Sequence, residues 1–138
     1  MIALDTNILA RYYVAAADER DGREQETAAA VLSSERSYFV SIDVALELAW
    51  VLIGPYGCSP QQVRRVFNHL AALPNVTLEQ ADDLIRAADW HVEGLDFADA
   101  LHLARSARCS DLLTLDRRFV QRAKKLGLSP RVSLPVEA

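Results

Sequence analysis

Four acids stand where a solvated surface does not need them. Asp5 closes the apolar run Ile2-Ala3-Leu4 and is followed by Thr6-Asn7, and Asp116 closes Leu112-Leu113-Thr114-Leu115 in the same way. In open α/β sheets, ligands bind beyond the carboxyl ends of the strands. Glu47 interrupts Val44-Ala45-Leu46-Glu47-Leu48-Ala49-Trp50-Val51-Leu52, a pattern hydrophobic nearly all round and therefore read as a mostly buried helix. A buried carboxylate must pair or bind a cation. Asp99 stands among small apolar residues in Asp96-Phe97-Ala98-Asp99-Ala100-Leu101-His102. Brought to one rim of a sheet, such acids raise one another's pKa, and a divalent cation relieves the repulsion. An oxygen-only donor set suits Mg²⁺ or Mn²⁺ rather than zinc. A cation so held serves phosphoryl chemistry, lowering the pKa of an attacking water and stabilising a leaving oxygen.

Each acid also has a plainer reading. Asp96 is a natural N-cap, accepting the backbone N–H of Asp99 or its neighbour, and Asp116 can cap a helix that begins at Arg117. Asp43 suits a cap or a favourable first-turn charge. Glu47 can lie on a narrow exposed stripe, and His102 can be a packing residue. The basic residues lean toward a polyanionic substrate. Arg117, Arg118, Arg122, Lys124, Lys125 and Arg131 follow Asp116 with few acids between them, and Arg105 and Arg108 close the helix that carries Asp99. Cations flanking an acidic metal site hold a nucleic-acid backbone, although a solvated helix face explains any one of them.

The elements that must position these residues alternate between short β-like runs and longer helical ones. Strands are expected at 2–4, 38–42, 76–78, 111–115 and 131–134. Helices are expected at 8–17, 24–34, 43–53, from Ser59-Pro60 to about 73, at 79–91, from Asp96 to about 108, and at 117–126 up to Gly127. Residues 18–22 read as a polar break, and Gly54-Pro55-Tyr56-Gly57 as a turn. Alternation of this kind predicts an α/β layer architecture with a mainly parallel sheet. No repeat, linker or glycine-rich phosphate loop interrupts it, so residues 1–138 are expected to form one domain.

The 138 residues are 51% hydrophobic and 25% charged, the composition of a globular protein with a proper core. No apolar stretch is long enough to span a bilayer, and the first strand leaves no room for a signal peptide; a cytoplasmic, membrane-free protein is expected. Cys58 and Cys109 are far apart and read as free thiols. A net charge of −4 argues against non-specific coating of nucleic acid.

The residues resemble a known family, the PIN-domain ribonucleases, and within it the VapC-type toxins of bacterial toxin–antitoxin pairs. The resemblance rests on Asp5-Thr6-Asn7-Ile8-Leu9, on Glu47 in its apolar helix, on Asp96-Phe97-Ala98-Asp99-Ala100-Leu101 and on Thr114-Leu115-Asp116, and covers essentially the whole chain. It implies a three-layer α/β/α sandwich around a mainly parallel sheet, and Mg²⁺- or Mn²⁺-dependent endonucleolytic cleavage of single-stranded RNA or structured RNA loops. Asp5, Glu47, Asp99 and Asp116 match the family's catalytic, metal-holding acids. Thr6 and Asn7 match residues that orient the first acid, a supporting task that Asp96 and Thr114 would share. Arg117, Arg118 and Arg105 would then contact the RNA backbone. The family further implies a homodimer and a cognate antitoxin protein, for which Tyr12, Tyr13, Trp50 and Tyr56 offer apolar surface.

Other classes compete with this reading. An inactive PIN-like RNA- or partner-binding module would retain the fold without the chemistry. An aspartyl-phosphate phosphatase would want an acid at the second position after Asp5, where Asn7 stands. A receiver-type signalling module would want paired acids near the first strand and a strand-end lysine, and both are missing.

Overall fold

Every strand of this protein is short and runs parallel to its neighbour. In the computed structural model, which describes residues 1–135, the chain divides into two compact units, Met1–Ala81 and Asp82–Ala138.

The first unit is built on a three-stranded sheet in the order β1 (Ile2–Ala3), β2 (Tyr38–Val40), β3 (Val76–Leu78). Ile2 lies opposite Tyr38, and Val40 opposite Leu78. Tyr38, Val40, Val76 and Leu78 are buried. Between the strands run α1 (Thr6–Tyr13), α2 (Glu19–Ser33), α3 (Ile42–Ile53) and α4 (Pro60–Ala72). Apolar spacing explains how the helices seat themselves. Ala45, Leu48, Ala49 and Leu52 make one stripe of α3, and Val63, Phe67 and Leu70 one stripe of α4. Helix α1 packs on α2 and α3, while α4 packs on α3 and β3. Asn75 ties the unit together: its amide donates to the carbonyls of Leu32, Ser34 and Arg36 at 3.0–3.3 Å.

The second unit holds α5 (Ala81–Val92), α6 (Phe97–Ala104) and α7 (Arg117–Leu126), with a two-stranded sheet of β4 (Asp111–Leu113) and β5 (Arg131–Ser133). Leu112 lies opposite Val132, and α7 packs on β5. Leu84, Ala87 and Ala88 are the buried face of α5, which also carries the half-buried Trp90. Phe97, Ala100, Leu101, Leu103 and Ala104 bury most of α6.

The α/β class with parallel strands agrees with the sequence reading, and α7 and β3 fall on the expected bounds. Several boundaries differ. Helix α2 begins at Glu19, because Asp18 accepts the Asp21 N–H at 2.8 Å and turns the expected polar break into a capped start. Helix α1 ends at Tyr13, four residues early. Helix α6 ends at Ala104 with Arg105 as its C-cap, so Arg108 lies outside it. Ala3 is exposed, which leaves β1 less buried than its composition suggests. Cys58 and Cys109 are free thiols, as read. Among the described residues no helix is long and apolar enough to cross a membrane.

Candidate active site

Parallel pairing puts the carboxyl ends of β1, β2 and β3 on one edge of the first sheet, and each is followed by a polar group that starts a helix or steadies one. After β1, Asp5 is the N-cap of α1, its Oδ1 accepting the Thr6 N–H at 2.8 Å. Its other oxygen has no protein partner among the described residues, and the side chain is exposed. Thr6 thus fixes Asp5 through its backbone. Its own hydroxyl is buried without a hydrogen-bond partner, a costly state for a polar group. Asn7 is exposed one position further on.

After β2, Ser41 caps α3 by accepting the Val44 N–H at 3.3 Å. After β3, Glu79 Oε1 accepts the Ile42 N–H at 2.7 Å. Sequence reasoning missed Glu79 by assigning it to a following helix. The signal was available, since Val76-Thr77-Leu78-Glu79 repeats the apolar-run-then-acid pattern of Asp5 and Asp116. Here that pattern anchors the N-terminus of the helix that carries Glu47, where a carboxylate also meets a favourable dipole.

Glu47 corrects one expectation. It is exposed, as are Asp43 one turn before it and Trp50 three residues after it. The all-round apolar composition of α3 hides a narrow solvent-facing stripe of i, i+4, i+7 spacing. Glu47 therefore carries no burial penalty that a partner would have to offset.

In the second unit, two acids act on a third. Asp96 is the N-cap of α6, its Oδ2 accepting the Asp99 N–H at 3.2 Å. The turn before it is held by His91, whose Nδ1–H donates to the Leu95 carbonyl at 2.8 Å and whose ring packs edge-on against Phe97. Asp116 is the N-cap of α7, its Oδ1 accepting the N–H groups of Arg118 and Phe119 at 2.9 and 3.2 Å. The Thr114 hydroxyl in turn accepts the Asp116 N–H at 3.0 Å. Asp99 lies in the first turn of α6, half-buried. Its pKa is pushed up, first by desolvation and then by repulsion from Asp96 and Asp116, with His102 pulling the other way. Both plain readings of the caps hold, yet capping engages only one oxygen of each acid and leaves their charge on Asp99.

Arg105, Arg117 and Arg118 are exposed. Two of the nearby basic residues are spent locally: Arg122 donates to the Gly94 carbonyl, and Arg131 pairs with Asp111 at 2.9 Å across β4 and β5. Asp111 is held below the usual carboxylate range by that hydrogen bond first of all.

Among the described residues no three His, Cys, Asp or Glu side chains are gathered into a group able to hold a metal ion. Asp99 is desolvated and repelled by Asp96 and Asp116, which raises its pKa. The donors are carboxylates, the chemistry that suits a hard cation.

The family model for the PIN domain matches residues 2–125, most of the chain. The chain belongs to the PIN domain family. PIN domains are generally nucleases that hydrolyse nucleic acids and typically use divalent metals. Curated proteins yield no match to the sequence.

Proposed function

We propose that this protein is a metal-dependent endoribonuclease acting on single-stranded RNA or structured RNA loops, and that it is the toxin of a toxin–antitoxin pair. The observation that carries the nuclease reading is the crowding of Asp96 and Asp116 on a desolvated Asp99 within a PIN domain. In this reading the functional acids are Asp5 and Glu47 of the first unit and Asp99 and Asp116 of the second, and Mg²⁺ or Mn²⁺ is the ion that such carboxylates suit. When bound, that ion supplies charge neutralisation at the phosphodiester and a more acidic attacking water.

The chain's own groups do the rest. Thr6 N–H fixes Asp5, Thr114 fixes Asp116 through its backbone, and Asp96 fixes the first turn of α6 on which Asp99 sits. Arg117, Arg118 and Arg105 hold RNA phosphates as exposed guanidiniums. A cognate antitoxin and a homodimer complete the reading. Trp50, 68% exposed, and Tyr56, 42% exposed, are aromatic groups available to either partner, and Leu113 and Leu115 are exposed aliphatic ones. Tyr12 and Tyr13 are half-buried in a cluster with His69, Tyr13 Oη lying 2.6 Å from its Nδ1.

Purified protein incubated with single-stranded RNA and Mg²⁺ or Mn²⁺ tests the nuclease reading. Asp99→Asn and Asp5→Asn are each expected to lower the cleavage rate by roughly 10²-fold or more. Cleavage at wild-type rate by both variants would discard the assignment and point to a contaminating nuclease. A short neighbouring reading frame encoding a protein that binds this chain and blocks cleavage would support the toxin role. The runner-up is a non-cleaving RNA-binding module of the same fold. It predicts RNA binding without cleavage in any metal.

A further inference from the structure

Helices α1 and α2 of the first unit enclose a groove of about 510 Å³ that begins at Asn7, two residues beyond Asp5. On one wall Asn7, Ile8 and Arg11 share a face of α1. On the other, Arg20 and Arg23 stand one turn apart on α2, with Glu24 beside them. The wall from Arg20 to Thr27 runs about 10 Å along the helix.

The three guanidiniums are not equivalent. Arg11 is clamped by Asp21 at 3.2 Å and by Glu24 at 2.8 Å, which locks α1 to α2 and fixes the floor of the groove. Arg20 reaches the other oxygen of Glu24 at 3.3 Å while remaining 81% exposed. Arg23 is exposed and has no carboxylate partner among the described residues. Glu24 is thus shared between two cations; with Asp21 counted, three guanidiniums meet two carboxylates, and Arg23 is the charge left over in the groove although its helix is rich in acids. Ile8 is the one hydrophobic side chain that lines it, and the rest of its apolar surface comes from the aliphatic stems of the charged and polar residues. A docked protein helix or strand needs several apolar anchors. A sugar–phosphate backbone needs cations and polar donors, with guanidinium forks the best of them.

We propose that this groove is a phosphate-binding track, which receives the single-stranded RNA as it leaves the Asp5 end of α1. The proposal rests on the nuclease reading but makes a separate demand on binding. Arg20 and Arg23 contact successive phosphates, Asn7 contacts the nucleotide nearest Asp5, and recognition there is independent of base sequence.

The test uses a fluorescein-labelled single-stranded oligouridine, bound to wild type and to the double variant Arg20→Ala, Arg23→Ala in EDTA, across a salt series. Each neutralised phosphate of a single strand adds about −0.7 to the slope of log affinity against log salt. The double variant should therefore lose about 1.4 from that slope, and it should weaken equally on oligouridine and oligoadenosine. Arg20→Lys, Arg23→Lys should restore most of the slope. An unchanged slope, or failure of wild type to bind, overturns the track. The first of these outcomes leaves the groove to a protein partner such as an acidic segment. Mg²⁺-dependent cleavage of the same oligonucleotide by wild type, measured separately, decides the nuclease reading whatever the slope shows.

Discussion

Folding favours a proton on Asp99, because burial and the charges of Asp96 and Asp116 raise its pKa above the unfolded value. The sign follows directly. Below the ordinary carboxylate range Asp99 is neutral in both states and costs nothing. As pH rises past the unfolded value, the unfolded chain ionises first and stability falls until the folded group has ionised too. Asp99→Asn should consequently raise the melting temperature at neutral pH, and the gain should disappear in acid. Thermal scans of both proteins at pH 7 and near pH 3 check this, and a variant less stable than wild type at pH 7 would contradict it. Legibility at this scale was uneven. The capping positions of Asp96 and Asp116 could be read from sequence because helix starts are local patterns. The exposure of Glu47 could not, since a narrow stripe on an apolar helix depends on which neighbours the helix meets. Nor could the arginine groove, whose Arg11 and Glu24 are joined only by tertiary packing.

At the scale of elements, the ends of the helices carry much of the local design. Helix α4 starts with a capping box: Ser59 accepts the Gln62 N–H at 3.2 Å while Gln62 accepts the Ser59 N–H at 2.8 Å. Helix α7 stops at Gly127, whose φ of 66° is the left-handed conformation that glycine adopts without penalty. Ser59→Ala should cost about 1 kcal/mol, and Gly127→Ala about as much through backbone strain. Urea denaturation of each variant measures the losses, and no change in either midpoint would rule out these end effects. Both signals were plain in the sequence, Ser-Pro-Gln-Gln at one end and glycine after a basic turn at the other. The start of α2 was obscured because its first turn is crowded with charge. The end of α6 was misread because Arg105 to Arg108 suit a helix by propensity.

For the whole molecule, the charge of −4 is unevenly used. A cation that binds only the folded chain stabilises it by mass action, by about 2.7 kcal/mol at a hundred times Kd. Mg²⁺ or Mn²⁺ should therefore raise the melting temperature of wild type, and the rise should shrink sharply in Asp99→Asn and Asp5→Asn. An identical rise in all three would mean that the ion acts elsewhere. The parallel α/β class was readable from the alternation of short apolar runs with helical spacing. The division of the strands between two sheets was not, because strand pairing is a long-range choice. The two tryptophans follow the same division, with Trp50 exposed on α3 of one unit and Trp90 half-buried on α5 of the other. Each unit thus carries its own intrinsic fluorophore in a different polarity, so a red-emitting and a bluer component report on the two halves of the chain without any added label.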